Sequence, residues 1–330
     1  MKLLYLSCHA ILEYDELKLF EELGVEYFSL GSYLDPRQPV DGIRPALRSE
    51  RVDKWYNSAP DRNDIPKEFF DQFDVIIVMH VPEWIEKNWD NMKHKRVIWR
   101  TIGQSTASVE RRMKPYKDQG MEVVRYSKRE IFIEDNIGCD ALIRFYKDPE
   151  EFKGYNGINR EVITFTQNIK HRGEWCNYET WTKVAEGLPM KVYGTKNEDM
   201  GELNGGFLTY DGMKQKMRDS AVYFYTGTQP ASYTLNFIEA MMTGIPMVCI
   251  GSKFANSLNI AGDVYEIPDI INNGTNGFWS DNVDDLKNII KALLGKPTLA
   301  KYIGECGRQT AIELFGKERI KLQWKEFLKL

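Results

Sequence analysis

Residues Tyr223–Ile250, YFYTGTQPASYTLNFIEAMMTGIPMVCI, read as an apolar strand, a polar loop, a helix, a Gly-Ile-Pro turn and a second apolar strand. Apolar runs separated by an amphipathic helix are the pattern of βα units feeding a parallel sheet. The loop also carries chemistry. A helix opening near Ser232-Tyr233-Thr234 presents free backbone N–H groups and its positive dipole end, where a diphosphate is stabilised without metal. Glu239 follows one to two turns later. Its carboxylate can accept two hydroxyl hydrogen bonds, such as those of a ribose.

Working outward, Glu161–Thr166, Met190–Tyr193, Ala221–Tyr225 and Ile245–Ile250 are the strands expected of the second half. Helices are expected near Glu174–Glu186, Asp211–Arg218, Thr234–Met242 and Asp284–Leu294. In the first half, Lys2–Ser7, Val25–Leu30, Asp74–Met79, Arg96–Arg100 and Met121–Tyr126 read as strands. Phe145–Asn159, rich in Gly, Pro, Asn and charge, reads as a linker. The expected fold is α/β, with two Rossmann-like doubly wound domains, residues 1–150 and 151–330, facing a central cleft. Beyond about Leu294 only helix signals remain, a tail expected to pack back across a neighbouring domain. Ligands of open α/β sheets bind beyond the carboxyl ends of the strands, so the cleft is the expected site. Gly31–Asp64, rich in Pro, Asp, Arg and Gly, reads as a long irregular loop with a function.

The 330 residues are 42% hydrophobic and 28% charged, enough for two domains with cores of their own. No apolar run reaches the ~20 residues of a membrane-spanning helix, and the opening MKLLYLSCHAILEYDE turns acidic too soon for a secretory signal. Cys8, Cys139, Cys176, Cys249 and Cys306 are scattered and never spaced C-x-x-C, so a disulfide framework and a zinc cluster are both unsupported. The chain reads as cytoplasmic. The first strand runs into Ser7-Cys8-His9-Ala10 without the glycines of a dinucleotide-binding turn, and no phosphate-binding P-loop or G-x-S-x-G elbow occurs. The four histidines lack metal-ligand spacing, and no D-x-D is present to hold a divalent ion on a diphosphate. Any diphosphate chemistry must find its positive charge elsewhere.

Pro230–Val248, PASYTLNFIEAMMTGIPMV, resembles the donor-site signature of GT-B glycosyltransferases of the family 4 type: Glu, seven residues, Glu, then Ala and a later Gly-x-Pro. Glu239, Ala240, Gly244 and Pro246 match, while the first glutamate falls on Ala231. Ser232, Tyr233, Thr234 and Leu235 replace a Gly-Phe-Gly-Leu run. The resemblance implies a UDP- or GDP-linked sugar as donor substrate, no further cofactor, Glu239 on the ribose hydroxyls and loop amides around the phosphates. Ile163–Gly173, ITFTQNIKHRG, resembles the family's strand followed by Arg and, five residues on, Lys-Gly. Gln167 stands at the Arg position and Arg172-Gly173 at the Lys-Gly, with Lys170 and His171 beside them. By resemblance Arg172, then Lys170, would neutralise the departing diphosphate. Gly194 ends a strand resembling one of the family's, and Leu208 or Tyr210 would flank the base. The family's first-domain histidine has no counterpart in Val97–Gln104, where Arg100, Thr101 or Gln104 are the candidates to stand in. His80, ending DVIIVMH, is the alternative, and Ser7–His9 closes the first strand as a further candidate.

The resemblance thus implies transfer of a hexosyl or pentosyl group to an acceptor hydroxyl, retaining and metal-independent. A sugar-nucleotide 2-epimerase of the same fold and a catalytically silent sugar-nucleotide-binding protein are the alternatives. Residues 93–129 hold eleven Lys/Arg against three Asp/Glu, while the preceding 92 residues hold ten against eighteen. That basic segment is expected to favour an anionic acceptor, a lipid surface at the inner membrane face, a polysaccharide or a nucleic acid, or else to be a solvated helix face.

Overall fold

The structure, a computed structural model, describes residues 1–31 and 59–330. Most of the irregular stretch expected over Gly31–Asp64 lies outside the described residues. The chain divides into two compact units, Met1–Phe145 with Ile320–Leu330, and Tyr146–Arg319. The passage from one to the other falls at the start of the stretch that reads as a linker.

In the first unit β1 (Lys2–Leu6), β2 (Glu26–Ser29), β3 (Val75–Met79), β4 (Arg96–Arg100), β5 (Glu122–Arg125) and β6 (Ala141–Leu142) form one parallel sheet in the order β2-β1-β3-β4-β5-β6. Strand β3, VIIVM, is buried along its whole length. A strand covered by helices on both faces needs such a run of branched apolar residues. Leu4, Ile76, Val78, Trp84, Trp89 and Trp99 belong to the core beneath it. The end of the chain completes this unit. Trp324, in the helix Lys317–Leu328, is buried edge-on to Phe20 at 5.2 Å between ring centroids, and the Arg100 guanidinium lies 5.5 Å from its ring.

In the second unit β7 (Asn159–Phe165), β8 (Met190–Tyr193), β9 (Asn204–Gly206), β10 (Ser220–Tyr225), β11 (Met247–Ile250) and β12 (Phe278–Ser280) form a second parallel sheet in the order β12-β11-β10-β7-β8-β9. The helix Leu235–Thr243 stops at Gly244, whose φ of 87° is the left-handed cap that glycine adopts without strain. Gly304, in the helix Pro297–Phe315, packs under that turn so closely that no Cβ would fit. The expected strands fall within a residue or two of those observed. The short edge strands β6, β9 and β12 are not among those expected, because two or three residues are too few to display a period. Among the described residues no helix is long and apolar enough to cross a membrane.

Candidate functional site

In the second sheet the chain winds outward from β7 in both directions, to β8 and β9 on one side and to β10, β11 and β12 on the other. The carboxyl edge at such a reversal is where open α/β sheets leave a crevice. The recorded pairing of β7 with β10 ends at Ile163–Tyr223. Beyond it side chains join the strands: Thr164 Oγ1 donates to the Phe224 carbonyl at 2.7 Å, and the Phe165 N–H donates to the Tyr223 hydroxyl at 3.1 Å. A cavity of about 190 Å³ opens here, lined by Thr166, Gln167, Arg172, Thr226, Thr228, Thr234 and Asn236 among others. It is smaller than the roughly 300–1,000 Å³ of a complete small-molecule pocket, so it suits one part of a larger ligand.

One wall is the turn after β7. Asn168 adopts φ 49°, and the buried Asn197 fixes the turn by accepting from the Ile169 N–H at 2.9 Å and donating to the Thr166 carbonyl at 2.7 Å. This delivers Arg172, half-buried, with Nη2 donating to Thr228 Oγ1 at 3.4 Å. The other wall is the start of the helix Leu235–Thr243, which has no side-chain cap. The Thr234 N–H donates to the Tyr225 hydroxyl at 2.9 Å, and Asn236 Nδ2 donates to the Phe165 carbonyl at 2.8 Å. Among the described residues no acceptor is recorded for the N–H groups of Leu235 and Asn236. A guanidinium and an uncapped helix N-terminus thus border one small polar cavity, an arrangement that stabilises an anion. Among the described residues no group of three or more His, Cys, Asp or Glu is placed to hold a metal ion.

No protein-family model and no curated protein matches the sequence; the likeness is structural. HepE from Anabaena, solved with UDP and glucose, superposes at a TM-score of 0.67 and 16% identity, covering 100% of this chain and 99% of that one. The sucrose-phosphate synthase of Thermosynechococcus elongatus gives 0.71 at 13% identity, covering 100% and 98%. An alpha-glucosyltransferase solved with UDP and a 13-mer DNA containing an HMU base gives 0.59 at 10%, covering both chains fully. This is the GT-B fold.

Within the GT-B fold of this chain, Gln167, Arg172 and Thr234 meet at the cavity. Lys170 is exposed, its Nζ 3.7 Å from an Asp199 carboxylate oxygen. Glu239 does not line this cavity: it is buried, with Oε1 2.8 Å from Nζ of the equally buried Lys147. Ser232 and Tyr233 are buried too, Tyr233 packing against Phe237 and Phe315, while Leu235 opens the helix. Gly194 has φ 141° and presses on the Thr166 carbonyl, leaving no room for a side chain. Leu208 and Tyr210 are half-buried, with Lys214 Nζ 4.4 Å from the Tyr210 ring.

In the first unit Arg100 and Thr101 hold the core. Arg100 Nη2 pairs with Glu16 at 2.8 Å with both side chains buried, and Thr101 Oγ1 donates to Glu130 at 3.0 Å; Gln104 is exposed. Ser7 is buried, and His9 caps the helix Ala10–Glu22. His80 ends β3 in the left-handed region, φ 54°, where a side chain is held only by its surroundings. Its N–H donates to the Arg100 carbonyl at 3.1 Å, and Nδ1 is buried without a partner among the described residues. Burial pushes its pKa down to about 4. The basic segment is largely neutralised: Arg96 pairs with Glu122, Arg111 with Asp135, Arg112 with Glu83 and Glu86, Lys114 with Asp118, Lys117 with Asp140, and Arg125 with Glu110.

Sequence reasoning missed Tyr223, Tyr225, Thr226, Thr228, Asn236 and Lys147. A signal existed in SAVYFY, where tyrosines two apart in a buried strand must find partners for their hydroxyls. Two outcomes are expected. Glu239→Ala, which removes the carboxylate 2.8 Å from the buried Lys147 Nζ, lowers stability by about 3–5 kcal/mol in urea unfolding; unchanged stability would contradict the buried pair. By NMR, His80 stays neutral until near pH 4. The unfolded chain protonates near 6.5, so the folded state loses stability as pH falls through that window, and His80→Gln flattens the loss.

Proposed function

We propose that the chain is a glycosyltransferase that binds a nucleotide-diphosphate sugar, UDP- or GDP-linked, in its second unit and transfers a hexosyl or pentosyl group to an acceptor hydroxyl. The observation that carries this reading is the convergence of Arg172 and the open N-terminus of Leu235–Thr243 on one cavity at the β7–β10 reversal. Solved GT-B neighbours that include UDP complexes support the choice of ligand.

In this reading the diphosphate occupies the cavity. The negative charge that grows on it as the glycosidic bond breaks is met by Arg172 and the helix amides, groups already oriented before the reaction. That assigns to side chain and backbone what a divalent ion does in other transferases, and makes the reaction metal-independent. Lys170 adds charge at the rim, and Gln167 touches the ligand. Glu239, 2.8 Å from Lys147 and outside the cavity that takes the diphosphate, is assigned to the ribose hydroxyls. The first unit takes part through His80, a neutral imidazole able to exchange a hydrogen bond with a sugar or acceptor hydroxyl. The transfer is assigned as retaining, of the family 4 type, with the leaving phosphate oxygen accepting the acceptor's proton. The acceptor is defined only as a hydroxyl. Five free cysteines fit a reducing, cytoplasmic setting.

Thermal shift with uridine, guanosine, adenosine and cytidine diphosphate sugars in EDTA tests this. One donor is expected to raise Tm, with Arg172→Ala weakening its binding about tenfold or more and hydrolysed sugar retaining its anomeric configuration. No response to any donor, or a response that Arg172→Ala leaves intact, would overturn the proposal.

A further inference from the structure

Hydrogen-bond donors are prominent in the capacity left over in the cavity. Thr226 is 1% exposed, lines the cavity, and its hydroxyl has no partner among the described residues. Tyr223 and Tyr225, also in the lining, each accept one backbone N–H, from Phe165 and Thr234; among the described residues no acceptor is recorded for the Tyr223 phenolic proton, while the Tyr225 hydroxyl also meets the Thr234 side chain. Burial raises both phenols' pKa values, so the protons stay in place at neutral pH. Arg172 and the amides of Leu235 and Asn236 add further donors. The lining contains no Asp or Glu. A sugar hydroxyl placed here would bring a proton of its own to this donor-rich surface, whereas a phosphoryl group brings only acceptor oxygens.

We infer that Tyr223, Tyr225 and Thr226 form a hydroxyl-donor floor that binds the phosphoryl oxygens of the ligand, with Thr226 contributing to that contact alone. The inference rests on the proposed function for the identity of the whole ligand, but the anion contact can be measured apart from it. Because the Thr226 hydroxyl bonds to none of the described residues, removing it relieves an unsatisfied buried group. The free protein should therefore keep or gain stability while the liganded one loses affinity.

Calorimetric titration with inorganic pyrophosphate and with the donor's nucleoside diphosphate, beside thermal unfolding of the free protein, tests this in Thr226→Val and Thr226→Ser. Expected are about tenfold weaker binding of both ligands in Thr226→Val, recovery in Thr226→Ser, and an unchanged or higher Tm for free Thr226→Val. Wild-type affinity in Thr226→Val overturns the inference. So does a loss confined to the complete sugar nucleotide, which would assign the hydroxyl to the sugar, or a fall in the Tm of the free protein that accounts for the weaker binding. Thr226-dependent binding of pyrophosphate without any nucleoside diphosphate would uphold the floor and defeat the transferase reading. Binding of neither ligand by the wild type would overturn both.

Discussion

Two phenolic oxygens on one face of β10 hold the candidate site open. Tyr223 and Tyr225 stand two residues apart, so their side chains leave the strand on the same side. One takes the N–H of Phe165 at the end of β7, the other the N–H of Thr234 at the start of the following helix. Beyond Ile163–Tyr223 no backbone pairing between β7 and β10 is recorded. A phenol reaches across that gap where a backbone carbonyl cannot. Without these two acceptors, the N–H groups of the half-buried Phe165 and Thr234 would lose their protein partners on both walls. The same bonds fix the helix terminus and the strand end that bound the cavity, so the polar void is a consequence of how the walls are held apart.

Electrostatics sorts the charged residues into two groups. Most named cations of the basic segment find carboxylates, and two such pairs, Arg100–Glu16 and Arg125–Glu110, are buried with all side chains at 2% exposure or less. Lys147–Glu239 is a third pair of this kind, in the second unit. Such pairs hold elements in register, because breaking one leaves an uncompensated buried charge. Arg172 is different. Its recorded partner is the neutral hydroxyl of Thr228, so its charge is not neutralised by that contact.

The alternation of apolar runs and amphipathic helices made the two parallel sheets legible, and the strand-loop-helix around β10 lies at the sheet edge where the cavity opens. The position of Arg172 in a basic turn directly after a strand was legible as well. Pairing was not. The partner of Glu239 is Lys147, far along the chain in a stretch that reads as a linker, and no local pattern connects the two. The basic stretch of the first half reads as charge open to an anionic partner, and in the fold several of its cations meet carboxylates, Arg112 reaching Glu83 and Glu86 of the acidic stretch before it. The tyrosines of β10 hid in a strand whose periodicity is that of core, since a phenol ring buries like any aromatic and only its oxygen is polar.

The central claim is that the cavity of the second unit is built to take a diphosphate. Crystal structures of the protein grown with UDP and with GDP test it most directly. The account predicts, for one of the two, diphosphate density between Arg172 and the amides of Leu235 and Asn236, within hydrogen-bond distance of Thr226. Diphosphate density elsewhere on the molecule, or a cavity left unliganded at saturating concentrations of both, would contradict it.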